Sequence, residues 1–150
     1  MPGKFLIDLT DPRFLIAANA EVMDFVRRVS PSAHGDVGSV LLSLGKTCPG
    51  AHAYSPSYRS FAYVVLHTDA DRIFAIAFGQ RGLAFRLGDE SYAAARGDAG
   101  SAAPEIGPSW ISFAPFDASG ASGSEECLRH LRLWCRRAFT DAVATGLHMG

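Results

Sequence analysis

Two hydrophobic periods divide the chain. From Asn19 the apolar residues Val22, Phe25, Val26 and Val29 recur at i, i+3, i+4 and i+7, the spacing that lines one face of a helix. Glu21 and Asp24 fall in its first turns, where the helix dipole favours negative charge. Ser30-Pro31 ends it, because the residue before a proline is pushed out of the α region. Upstream, Phe5–Leu9 is short and apolar, and Asp11-Pro12 reads either as a helix start with Pro12 in first position or as a plain turn. A second short helix is predicted over Val37–Leu44, with Asp36 as cap and Gly45 as stop. Cys48-Pro49-Gly50 then makes a turn, and Ala51–Ser57 reads as loop.

From Ser60 the period drops to two. Phe61, Tyr63 and Val65 alternate with Ala62, Val64 and Leu66, which predicts a strand. Thr68–Asp71 is a polar turn, Arg72–Phe78 the returning strand, Gly79–Gly82 a second turn and Leu83–Leu87 a third strand, so a three-strand antiparallel meander occupies 60–87. Both faces of its first two strands are apolar, so both should be covered. Asp89 can cap a short helix over Glu90–Arg96, and Gly97–Ser109 reads as loop. A fourth strand at 110–114 opens on Trp110–Phe113, and Pro115 keeps it from running on as a central strand. After the featureless Asp117–Gly123, Ser124 caps a long helix. Leu128, Leu131, Cys135, Ala138, Ala142 and Val143 form its buried stripe, Trp134 and Phe139 widen it, and Gly146 suits the C′ position. The expected architecture is one α+β domain over 1–150, an antiparallel sheet flanked by N-terminal helices and a long C-terminal helix.

Composition supports that picture. Of 150 residues 48% are hydrophobic and 19% charged, enough apolar material for a core without metal or disulfide, and far from the composition of a disordered chain. The longest apolar runs, Phe61–Leu66 and Ile73–Phe78, are far below the ~20 residues that span a bilayer. No secretory-signal pattern is present, so a cytoplasmic protein without a membrane partner is expected. The three cysteines, Cys48, Cys127 and Cys135, form no CxxC pair. Cys127 and Cys135, eight residues apart on one helix, are separated by about 12 Å, too far to bridge, and reduced thiols are the simplest account. Fourteen basic against fifteen acidic residues leave a net charge of −1, which argues against coating nucleic acid through overall charge.

Candidate chemistry is sparse. His67, Asp69 and Asp71 alternate on extended chain like metal ligands, but turn preference alone accounts for the aspartates, and no further ligand is implied. Cys48 with His52 is the one local thiol–imidazole pair, without a nucleophile motif around it. No GxSxG, Walker A, GxGxxG or HExxH occurs, so no catalytic residue, metal or cofactor is assigned. Arg129, Arg132 and Arg136 lie at i, i+3 and i+7 on the last helix beside His130 and Arg137, a stripe that could meet phosphates or an acidic partner, or could simply be the wet side of an amphipathic helix. Tyr54, Tyr58, Phe61, Tyr63, Phe74, Phe78, Phe85 and Tyr92 are interleaved with Arg59, Arg72, Arg81 and Arg86, a mixture suited to stacking bases, or to filling two faces of a sheet.

The order of several short pieces resembles the MmcQ/YjbR-like proteins, small bacterial α+β domains. The pieces are Cys48-Pro49-Gly50, Ser57-Tyr58-Arg59, Arg72-Ile73-Phe74-Ala75, Gly82-Leu83-Ala84-Phe85-Arg86-Leu87, Trp110-Ile111 and the long C-terminal helix, covering about residues 37–145. The resemblance implies a double-wing sheet of frataxin type and a DNA-binding role. The first expectation is therefore a non-enzymatic binding module for nucleic acid or an acidic protein, with Tyr58, Arg59, Arg81 and Arg86 as one rim and Arg129, Arg132 and Arg136 as a second patch. The alternative is a small-molecule-binding protein or enzyme with a pocket between the sheet and the N-terminal helices, using His52, Tyr54, His67 and Asp69. A homo-oligomer joined through an apolar sheet face is a third expectation.

Overall fold

The helical and strand periods separate in space much as they do along the chain. The structure, a computed structural model, describes residues 12–29, 35–55, 64–78, 82–98, 100–113 and 125–149. Two 3₁₀ turns, Pro12–Phe14 and Ala17–Asn19, lead into α1 (Ala20–Val29), followed by α2 (Gly35–Lys46). Strands β1 (His52–Tyr54), β2 (Val64–His67), β3 (Ile73–Phe78) and β4 (Gly82–Arg86) come next. Then follow α3 (Asp89–Arg96), β5 (Ser101–Ala102), β6 (Trp110–Ser112) and α4 (Glu125–Met149). The strands form one six-stranded sheet in the order β1-β2-β3-β4-β6-β5, antiparallel at every pairing. The protein is thus α+β, with β2-β3-β4 as the expected meander.

Several boundaries differ from the periodicity. Ala51–Ser57 is not all loop: His52–Tyr54 pairs with β2, because the edge of β2 offers ladder groups that a short extended segment satisfies. Ser101–Ala102 likewise adds a strand to β6 inside the expected Gly97–Ser109 loop. With β5 outside it and β4 inside it, β6 is an internal strand, ending at Ser112, while Pro115 lies outside the described residues. Helix α2 starts before Asp36 and runs through Gly45, so neither residue bounds it. Gly88, not Asp89, stands at the N-cap of α3 and makes no side-chain bond there. Gly146 lies within α4 rather than after it. At Gly45, which lies against Leu66, tertiary packing of the helix face overrides the single-residue end signal.

The sheet buries both faces. Against one, Phe14, Val22, Met23, Phe25 and Val26 pack on Val65, Ile73, Ile76, Ala84 and Trp110. Against the other, α2 and α4 place Leu41, Leu44, Leu131, Trp134, Cys135 and Ala138 on Leu66, Ala77, Leu83, Phe85 and Ile111. Val143, assigned to the buried stripe by its spacing, is exposed, because it faces a cleft beside Ile16 and Ala18. Val64, Val65 and Leu66 pair with Ala77, Ile76 and Ala75, yet His67 pairs with Ile73, so β3 carries a bulge. Phe74 and Ala75 consequently both enter the α4-side core, where Phe74 meets Phe139 edge-on with centroids 5.5 Å apart.

Asn19 holds this corner together. It is wholly buried: its Oδ1 accepts the Ile73 N–H at 2.8 Å, and its Nδ2 donates to the carbonyls of Phe14 (3.1 Å) and Asp71 (2.8 Å). One side chain therefore satisfies the backbone of the first 3₁₀ turn, the β2–β3 turn and the start of β3. In that turn Thr68 Oγ1 accepts the N–H groups of Ala70 and Arg72, and Asp71 takes φ +62°, a left-handed conformation that Asp tolerates better than most residues. After α2 the chain turns at Gly50, whose φ of +95° needs a residue without Cβ; a Cβ there would also lie 3.3 Å from Phe139 Cζ.

Candidate functional site

Helix α4 presents its inner face to the sheet and its outer face to solvent, and the spacing of its arginines follows from that division. Arg129, Arg132, Arg136 and Arg137 stand on the outer face together with Leu133 and Thr140. With Thr47 from the turn after α2 they line a hollow of about 430 Å³. Arg129, Arg136 and Arg137 are exposed and Arg132 is half-buried, while Leu133 contributes an apolar surface 59% exposed. Among the described residues Arg129, Arg132 and Arg136 enter no ion pair. Arg137 is braced: its Nε donates to Ser91 Oγ at 2.9 Å, and its guanidinium lies 5.9 Å from the Trp134 ring. Thr140 and Thr47 donate their hydroxyls to the Arg136 and Leu44 carbonyls. The site is a cationic trough with one apolar contact.

The other expected rim does not assemble in the same way. Tyr58, Arg59 and Arg81 lie outside the described residues. Arg86 is half-buried and donates from its Nη1 to the Ala18 carbonyl, tying β4 to the second 3₁₀ turn rather than fanning over a surface. Burial holds its pKa below the ordinary arginine value, with Glu21 acting the other way. Phe74 and Phe85 are core residues, and Tyr54, Phe78 and Tyr92 pack as half-buried rings around the cores. Most of the described aromatic rings therefore fill the sheet faces.

His52, Tyr54, His67 and Asp69 do come together, along the β1–β2 edge. The register places His52 opposite His67, and the rings stack with centroids 5.4 Å apart. His52 Nε2 pairs with Asp69 Oδ1 at 2.5 Å, with Asp69 mostly exposed. His67 is buried, edge-on to Phe14, and its Nδ1–H donates to the Thr68 carbonyl at 2.9 Å. Its pKa is lowered, chiefly by burial and further by Arg13 and His52, against the raising effects of the Thr68 carbonyl and Asp71. Tyr54 packs on Phe14 at 5.0 Å, and the Arg13 guanidinium covers both rings. This is a packed strand edge, and among the described residues no group of three or more His, Cys, Asp or Glu side chains could hold a metal ion.

Two features were not legible in the sequence. Arg72, 9% exposed, separates a cleft of about 350 Å³, bordered by Ile16, Ala18, Phe139 and Val143, from a smaller one of about 180 Å³ bordered by Arg86, Ser109 and Asp141. Cys48 and Cys135 approach each other beneath the arginine hollow, 87 positions apart in the chain. Neither carries a motif, since both meetings depend on how α4 lies across the sheet. No helix among the described residues is long and apolar enough to cross a membrane. Comparison with family models, curated proteins and solved structures finds no match for this chain.

Proposed function

We propose that this chain is a non-enzymatic binding module that takes a polyanion along the outer face of α4. The observation that carries this reading is the convergence of Arg129, Arg132, Arg136 and Arg137 on one hollow, three of them without an ion-pair partner among the described residues. Guanidinium groups hold phosphate or carboxylate through paired N–H bonds, and four of them on one helix face supply a directional surface. From Arg129 to Arg136 the helix rises about 10 Å, roughly three phosphate steps of one nucleic-acid strand. Exposed Leu133 offers a base or an aliphatic stem something to rest on. The net charge of −1 confines attraction to this face, so the module recognises a local segment rather than coating a polymer.

Nucleic acid is the first probe, because the resemblance to the MmcQ/YjbR-like proteins implies DNA binding. Fluorescence anisotropy with single- and double-stranded oligonucleotides should show log K falling linearly with log salt concentration, and Arg132→Gln should reduce the slope by about one unit. Binding of acidic peptides but not oligonucleotides would assign the face to an acidic protein. Absent or salt-independent binding of both removes the reading. The second reading, a small-molecule protein, draws on the cleft beside Arg72. It expects a ligand whose affinity is indifferent to Arg132.

A further inference from the structure

The sulfurs of Cys48 and Cys135 lie 3.8 Å apart, in contact, and the two side chains are 3% and 0% exposed. A single buried cysteine packs as a small hydrophobe, but two whose sulfurs face each other form a chemical unit. Cys135 is fixed in the middle of α4. Cys48 sits in the turn after α2, held by the local bonds Cys48 N–H to the Gly45 carbonyl (3.1 Å) and Ala51 N–H to the Cys48 carbonyl (3.0 Å). A disulfide needs sulfurs at about 2.05 Å, so closure asks for an approach of just under 2 Å, which the end of a helix accommodates more readily than its middle.

We propose that Cys48 and Cys135 are a redox-active dithiol, converted to an intramolecular disulfide by hydroperoxides and restored by thiols. In the first step the Cys48 thiolate attacks one peroxide oxygen, the O–O bond breaks, and the departing hydroxide takes a proton and leaves as water. Cys48 is then a sulfenic acid. The Cys135 sulfur attacks the Cys48 sulfur, the S–O bond breaks, and the hydroxyl leaves as water with the proton from Cys135. Two electrons pass from the dithiol to the peroxide, and the S–S bond joins the turn after α2 to α4.

The surroundings distinguish the two sulfurs: Cys48 is 3% exposed in a turn, and Cys135 is wholly enclosed in mid-helix. Either sulfur can donate across the contact; with Cys135 donating, and with help from Thr47 and Arg136, the Cys48 pKa falls to about 7 against the opposing effect of burial. The same contact and deeper burial push the Cys135 thiol up, so it keeps its proton until the second step. Hydrogen peroxide is small enough to reach a thiol that is 3% exposed, whereas bulky disulfides are not.

The proposal stands on the sulfur geometry and is independent of the polyanion reading. The test uses the full wild-type chain, treated with hydrogen peroxide while folded, then denatured and alkylated. The expected result is a loss of two mass units, one remaining alkylatable thiol instead of three, that thiol being Cys127, a peptide linked through Cys48 and Cys135, and reversal by dithiothreitol. In Cys135→Ser, a dimedone adduct should form on Cys48, whereas Cys48→Ser should leave Cys135 unlabelled. Three free thiols after treatment, a link through Cys127, or a link between two chains overturns the proposal, and none of these readouts requires the variants to be stable.

Discussion

On the α1 side of the sheet the buried polar side chains Asn19 and His67 bond to backbone: Asn19 to three chain segments, His67 to the Thr68 carbonyl. On the α2/α4 side the core holds two sulfurs that face each other instead, and the helix that covers them turns four arginines outward. Both sides are closed by large rings, Phe14 on one and Phe85 on the other, each 0% exposed. The difference lies in how each cover is attached. Helix α1 is short and arrives through two 3₁₀ turns, so its position depends on a polar clamp. Helix α4 is 25 residues long and is positioned by apolar contact along its stripe, with polar ties to Asp98, Ser91 and Gly88 at the margin of that stripe, and its outer face carries charge. One side of the molecule is therefore clamped at a point, while the other is laid along a stripe with its arginines outward.

The comparison can be tested by its strongest claim first. Phe14→Ala and Phe85→Ala should each lower unfolding free energy by about 3–5 kcal/mol in urea titrations, since each deletes a fully buried ring. A Phe14 cost below about 1 kcal/mol would break the claim that the α1 side is a true core rather than a loosely laid cover. Next in size, Asn19→Ala should cost about 2–3 kcal/mol, because it strands the buried Ile73 N–H and Phe14 carbonyl and removes the partner of the half-buried Asp71 carbonyl. That loss should be accompanied by faster amide exchange at Ile73 and in the β2–β3 turn.

The smallest effect is a pH dependence that His67 gives the α1 side. Burial lowers the folded-state pKa of His67 below the ordinary 6.5. Below 6.5 the unfolded chain therefore takes up a proton that the folded chain resists, and stability falls as pH drops from 6.5 toward the folded value. The contribution is fully present above 6.5. His67→Asn, whose amide can still donate to the Thr68 carbonyl, should flatten the stability slope between pH 6.5 and 5 even if it lowers stability throughout. An unchanged slope would assign the titration to another group.

Much of this architecture was legible because two periods dominate the chain. Alternation from Ser60 to Leu87 predicts the meander, and apolar faces on both sides of it predict the double cover that Val65 and Ile76 on one side, and Leu66 and Ala77 on the other, receive. The i, i+3, i+7 arginines were visible as a stripe. What they could not reveal is that Thr47 closes one side of a hollow around them. His52–Tyr54 shows no alternation to mark it as a strand; it is one because β2 needs a neighbour. Gly45 reads as a helix end, yet α2 runs through it, since the buried face of α2 against Leu66 outweighs the cost of a helical glycine, about 1 kcal/mol.

Local pattern thus determined the helices, the meander and β6, which of their faces are apolar, and that the arginine stripe of α4 lies on one side. Side-chain spacing is set by 3.6 and 2.0 residues per repeat, and those periods are written along the chain. Tertiary structure alone decided that Arg86 turns inward to Ala18, that Asn19 clamps the Asp71 carbonyl and the Ile73 N–H, and that Cys48 meets Cys135. Each of these joins residues more than 50 positions apart, and such contacts exist only after the sheet has set the distance between the elements that carry them.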